Sequence, residues 1–199
     1  LDTGATATDS VEVALVRRAR DGDADAFADL VRSYQRRVVS VAYRLLGDAD
    51  DAADVSQDAF IRAYRHLSQL EDPSRLGPWL MRIATNLALN FRRARKTRSA
   101  ASLDNGLTSW STARSPDGER RLTVGLEDDG GPLPAELQVA ISDAMEQLPD
   151  KQRLALILFS VEGMPQKEVA EVMDCSVELV KWNVFQARRK LKEMLAEFL

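Results

Sequence analysis

Apolar residues recur every third or fourth position along most of this chain, and that spacing predicts helices almost throughout. Val11 to Arg20 is a short amphipathic stretch, closed by Asp21-Gly22-Asp23. From Ala24 to Leu46, the residues Phe27, Leu30, Val31, Tyr34, Val38, Ala42 and Leu45 make one apolar stripe. At ~1.5 Å per residue that helix would be roughly 35 Å long. Gly47 is placed to end it as a left-handed cap. Asp48 to Leu67 forms the next helix, with Val55, Ala59, Ala63 and Leu67 inward. A turn-rich loop over 68–78 contains Pro73, Gly77 and Pro78. Trp79 to Arg95 is helical again, with Leu80, Ile83, Leu87 and Phe91 as its core face.

The periodicity fades near Arg98. Residues 99–133 are rich in Ser, Thr, Gly and Asp, and read as a flexible linker with a slight acidic excess. From Pro134 the helical pattern returns in four segments, about 135–147, 150–162, 166–173 and 177–198. Leu148-Pro149-Asp150 is a helix start signal and Gly163 a stop. Pro165 suits the first turn of the helix it precedes, where a missing N–H costs nothing. No strand pattern or internal repeat is visible. The pattern therefore predicts an all-α protein of two helical domains, 12–98 and 134–199, joined by the linker 99–133 and preceded by a flexible N-terminus, 1–11.

Composition removes several function classes. No apolar run reaches the length of a membrane helix, and LDTGATATDS lacks the blocks of a signal peptide, so no membrane insertion is expected. One Cys excludes an internal disulfide and fits a reducing, cytoplasmic setting. One His and one Cys offer no metal-ligand or nucleophile spacing, so no catalytic residue, metal or cofactor is expected. With a formal net charge of −4, any nucleic-acid binding must come from local basic faces.

Three stretches could carry function. The first, Gln166 to Leu191, reads as two helices joined by a tight turn, the shape of a helix-turn-helix. Val169, Ala170 and Met173 pack the first helix inward, and Val177, Val180, Val184, Leu191 and Leu195 the second. Ala170 is small enough for close approach, and Ser176 can cap the second helix. Lys181, Trp182, Asn183, Gln186, Arg188 and Arg189 are expected on its outward face. Amides can read adenine there, and cations can read guanine or hold phosphates. A solvated helical hairpin is the plainer alternative; capping, small residue and polar face favour DNA.

The second stretch is the basic run through Arg82, Arg92, Arg93, Arg95, Lys96 and Arg98, uninterrupted by an acid. Arg82, Asn86 and Asn90 are four apart on one face, with Arg93 nearby. Cations at a helix C-terminus are also favoured by the macrodipole alone. The third is acidic: Asp48, Asp50, Asp51, Asp54 and Asp58, with no basic residue between. It repels DNA, and with Gln57 and Phe60 or Ile61 it suits a protein partner with a basic surface, or helix capping alone.

In this order the segments resemble the extracytoplasmic-function group of bacterial RNA polymerase sigma factors. DADAFADLVRSYQRRV, DAADVSQDAFIRAY and WLMRIATNLALNFRR resemble sigma region 2, and LPDKQRLALILFSVEGMPQKEVAEVMDCSVELVKWNVFQARRKL resembles region 4. The resemblance implies that region 2 docks on the β′ clamp helices of core RNA polymerase through Asp51, Asp54, Gln57 and Asp58. It implies that region 2 captures and melts the −10 element, with the loop 70–76 and Asn86 holding a flipped base and Asn90 and Arg82 adjacent; Arg92 and Arg93 of the basic run are further candidates for −10 contact. Region 4 would read the −35 element with Lys181, Trp182, Asn183, Gln186 and Arg188, and rest on the β flap. The factor would supply binding free energy and no chemistry, and an anti-sigma protein is a further candidate partner.

The chain departs from the family in the recognition helix, which commonly carries more Arg, and at Ala53, Ser56 and Pro165. Fewer charges and more amides there suggest a distinct −35 sequence. The competing hypothesis is a helix-turn-helix regulator that binds an operator without polymerase, using 1–98 for sensing or dimerisation. The acidic run and the Asn86/Asn90 face speak against it, because a sensing domain needs neither.

Overall fold

The computed structural model describes residues 4–104 and 134–198. Eight α-helices run through these residues: α1 (Gly4–Arg20), α2 (Ala24–Leu46), α3 (Ala49–His66), α4 (Leu76–Asp104), α5 (Ala135–Gln147), α6 (Asp150–Leu156), α7 (Gln166–Met173) and α8 (Val177–Met194). No strand occurs among the described residues. The expected linker falls mainly outside them, Trp110 included, while 99–104 continue α4.

The helix ends follow from local chemistry. Asp23 caps α2 by accepting from the Ala26 N–H at 3.0 Å, and Gly47 closes it at φ 74°. Asp48 caps α3 by accepting from the N–H groups of Asp50 and Asp51 at 3.0 and 2.9 Å. The predicted loop over 68–78 instead holds two 3₁₀ turns, Leu67–Gln69 and Pro73–Arg75, and α4 starts at Leu76. Gly77 and Pro78 therefore lie in the first turn of α4, where proline is tolerated. A Cβ at Gly77 would sit 3.1 Å from the Tyr34 hydroxyl, so a side chain there would have to push the Tyr34 ring aside by a few tenths of an ångström.

α2, α3 and α4 pack as a bundle around Val38, Val41, Ala42, Leu45, Ala52, Val55, Ala59, Ala63, Leu80, Met81, Ala84 and Ala88. The alanines on α3 and α4 let the backbones approach closely. α1 closes one end through Val16 and Ala19, set against Leu30, Leu67, Leu70 and Leu76. The buried face of α4 differs from the expected one: Leu80 is buried as predicted, but Met81, Ala84, Thr85 and Ala88 complete the face, and Ile83, Leu87 and Phe91 are half-buried. The cause is that α4 packs against α2, α3 and also α7, so its apolar arc is wider than one stripe.

The second half folds around Leu154, Ala155, Ile157, Leu158, Met164, Val169, Val172, Val180, Val184 and Ala187. After Leu156, α6 loosens into a π turn over Ile157–Val161. The two halves share one continuous apolar core. At their seam Arg153, 2% exposed, donates to the Leu45 carbonyl at 3.3 Å. Arg92, 5% exposed, donates to the Glu146 carbonyl at 3.3 Å and lies 3.5 Å from the Asp150 carboxylate. Glu162 accepts from Ser40 at 3.1 Å and pairs with Arg37 at 3.4 Å.

Candidate nucleic-acid interface

The acidic stretch lies on α3. Asp54, Gln57 and Asp58 are exposed, and Ile61 continues the face one turn on, 40% exposed. Positions 54, 57, 58 and 61 share one side of a helix, so acids, amide and apolar side chain form a single strip. Asp51 is half-buried and paired with Arg95 at 3.2 Å. Burial, and then the Asp48 carboxylate, push the Asp51 carboxyl above its ordinary range, against the pull of Arg95.

On α4, Arg82, Asn86, Asn90 and Arg93 are all exposed and follow one stripe. Arg93 donates to the Asn90 side-chain carbonyl at 3.5 Å. Beside the stripe lies a cleft of about 280 Å³, lined by Leu70, Asp72, Arg75, Trp79, Arg82 and Glu171 among others. Its loop is held by Asp72, which accepts from the Ser74 N–H at 3.0 Å and the Ser74 hydroxyl at 2.7 Å. Those bonds draw the Asp72 carboxyl below its usual range. Glu171 of α7 closes one wall by pairing with Arg75, and Asp174 lies 3.8 Å from Arg82.

Arg92 does not lie on this stripe, contrary to expectation. Its position four after Ala88 puts it on the buried face, at the seam. The same 3–4 spacing from Met81 through Ala88 was the signal that could have found it.

The helix-turn-helix forms from α7 and α8. Val169 and Ala170 are buried, and Ser176 caps α8 by accepting from the Leu179 N–H at 3.2 Å. Asp174 ends α7 in the left-handed region at φ 51°, a place usually taken by glycine or asparagine. Lys181, Trp182 and Arg188 are exposed on α8, and Gln186 is half-buried. Arg188 donates to the Ser160 hydroxyl at 3.0 Å, with its guanidinium 5.9 Å from the centre of the Phe159 ring.

Asn183 departs from the expected outward placement. It is 2% exposed, and its amide donates to the Leu179 carbonyl at 2.8 Å. It follows Val180 by three and so shares the inward face. Phe185, which the sequence reading passed over, is 61% exposed. Among the described residues no group of three or more His, Cys, Asp or Glu side chains could hold a metal ion. No helix among them is long and apolar enough to cross a membrane.

Comparison with known proteins accounts for both halves. Residues 30–98 match Sigma-70 region 2, and residues 138–191 match Sigma-70 region 4. The RNA polymerase sigma-H factor of Pseudomonas aeruginosa is 35% identical, covering 93% of this chain and 94% of its own. The ECF RNA polymerase sigma factor SigW of Bacillus subtilis is 30% identical, over 92% and 95%. The ECF RNA polymerase sigma-E factor of Escherichia coli is 34% identical, over 89% and 90%. Among solved structures, CnrH in complex with the cytosolic domain of CnrY has the same fold, with a TM-score of 0.67 over 94% of this chain and 98% of that one at 24% identity. Two sigma regions in order, on an all-helical chain whose relatives match it nearly end to end, place it in a family: the chain belongs to the extracytoplasmic-function RNA polymerase sigma factors.

Proposed function

We propose that this sigma factor divides promoter recognition among the three faces just described. The α3 strip, with Asp51, Asp54, Gln57 and Asp58, docks on the β′ clamp helices of core RNA polymerase. Three of those four side chains are exposed and free of basic neighbours in sequence, which suits a basic partner. The α4 stripe of Arg82, Asn86, Asn90 and Arg93 takes the −10 element, with a displaced base seated in the adjoining cleft. The α8 face, with Lys181, Trp182, Gln186 and Arg188, takes the −35 element while region 4 rests on the β flap. Arg92 and Asn183 are assigned positioning roles instead, because both are buried.

The observation that carries this reading is the α4 stripe beside its cleft. The stripe of two exposed amides and two exposed cations meets, at its Arg82 end, a pocket with an aromatic wall at Trp79. Amides can hydrogen-bond base edges, an aromatic wall can stack a base, and cations hold the backbone. The chain supplies binding free energy that favours opened DNA, acts in the cytoplasm, and leaves the chemistry to polymerase. An anti-sigma protein is its proposed regulator: CnrH and the RpoE of Bartonella quintana are recorded in complexes, the latter with the anti-sigma factor NepR.

The −10 and −35 elements lie more than two helical turns apart, at about 34 Å per turn. Halves that share a core cannot serve both, so engagement of a promoter requires α7 to leave α4. The test is run-off transcription with core polymerase over a promoter library, beside gel filtration with core alone. Co-elution and promoter-dependent transcripts are expected. Tight duplex binding without co-elution would instead favour a polymerase-independent regulator.

A further inference from the structure

On the outward side of α8, Leu179, Trp182 and Phe185 follow one another at intervals of three. They are 40%, 51% and 61% exposed. Residues three apart on a helix are neighbours, so these side chains form a continuous apolar ridge. Burying apolar side chains is favourable, and this fold forgoes part of that gain at the ridge. Exposed apolar side chains that adjoin one another on a single face make this ridge a candidate binding surface.

The polar rivals on the same helix are poorly placed to read bases. Asn183 is buried and bonded to its own helix. Arg188 is engaged by Ser160 and lies over the Phe159 ring. Arg189 lies 3.8 Å from Glu193. Gln186 is half-buried. What α8 offers most freely near its N-terminal half, the part of a recognition helix that meets base edges, is aromatic surface with Lys181 at its side.

The major-groove edge of DNA has one prominent apolar feature, the C5-methyl group of thymine. Resting on the proposal that α8 takes the −35 element, we infer that Trp182 and Phe185 select that element by packing on thymine methyl groups. The cations Lys181, Arg188, Arg189, Lys190 and Lys192 on the same helix suit a polyanion and disfavour a basic or purely apolar partner. The Cβ atoms of Trp182 and Phe185 are about 5–6 Å apart by helix geometry. Bases step by about 3.4 Å, so the two methyls belong to neighbouring or next-neighbouring base pairs.

Deoxyuridine removes only the methyl group and so isolates this contact. Holoenzyme reconstituted from the full chain and core polymerase is bound to a promoter recovered from the library. Each −35 thymine, on either strand, is then replaced singly by deoxyuridine. Binding is expected to fall about fourfold at one or two positions, matching about 0.8 kcal/mol for a buried methylene-sized group. Trp182→Ala and Phe185→Ala should each abolish the sensitivity at their own thymine; both side chains are more than half exposed, so truncation leaves the core intact. A selected −35 element with no thymine on either strand at those pairs overturns the inference. So does a flat deoxyuridine scan on a promoter whose scrambled −35 element still weakens binding, which would assign the ridge to a protein partner. If scrambling the −35 element changes nothing, the assignment of α8 to that element fails first.

Discussion

The two helices proposed to meet DNA present opposite chemistry. α4 offers a stripe of Arg82, Asn86, Asn90 and Arg93 that meets a cleft at its Arg82 end, where Glu171 of α7 pairs with Arg75. α8 offers an aromatic ridge that nothing among the described residues covers, and buries the one asparagine that sequence would assign to base reading. Exposed amides on a stripe that leads to a pocket suit a base removed from its stack, whose edge is open to hydrogen bonds. An apolar ridge suits an intact groove, where the methyl group is the accessible apolar mark. The contrast therefore follows the state of the DNA each helix is proposed to meet, opened at one and paired at the other.

The strongest way to break the comparison is Asn86→Ala. Loss of an amide reader should lower promoter opening by up to about a hundredfold, near 3 kcal/mol, and flatten −10 selectivity while polymerase co-elution is kept. Open-complex formation on a set of −10 variants measures it; unchanged selectivity would remove α4 from the comparison.

Next in size is Arg153→Met at the seam. Burial, with the Arg92 charge adding, pulls the Arg153 guanidinium down to about 10, so it stays charged at neutral pH. Its Nε and Nη2 find no acceptor in the protein. An apolar side chain of similar length should raise stability by about 2 kcal/mol, seen as a higher melting temperature. A lower one would mean that the charge is well accommodated.

Asn183→Ala sharpens the contrast at α8. It should cost about 1 kcal/mol of stability through the lost bond to Leu179, yet leave the −35 preference unchanged. A changed preference, measured by selection on a −35 library, would return Asn183 to the base-reading set. The smallest effect belongs to Glu171→Gln with Asp174→Asn. These exposed pairs with Arg75 and Arg82 are worth under about 1 kcal/mol each. Their loss should modestly raise −10 DNA binding by the free factor, most clearly at low salt.

Much of the fold was legible because its signals are local. Asp23, Gly47, Asp48 and Ser176 cap helices where their chemistry says they should. The shared exposed stripe of Arg82, Asn86 and Asn90 follows from their spacing, and the inward set Val55, Ala59 and Ala63 leaves Asp54 and Asp58 on the exposed side of α3. What escaped was non-local. Arg92 sits in a basic run that reads as solvated, and only the approach of α5 and α6 buries it. Asn183 looked like a reader by residue type, although its spacing from Val180 pointed inward. The packing of α7 on α4 left no periodic trace, since the composition between the halves suggests independence rather than contact.

The buried arginines set an equilibrium. The seam gains apolar burial, but encloses two guanidinium groups with few acceptors, and desolvating such charges costs several kcal/mol. The two terms oppose each other, so the charges weaken the hold that the apolar contacts provide. Reversing a 99:1 population takes only about 5.5 kcal/mol of differential affinity. A polymerase surface that holds the halves apart can supply that through a few contacts, and a ligand that clasps them together can withhold it as easily. The position of this balance would set how much of the factor is ready for a promoter.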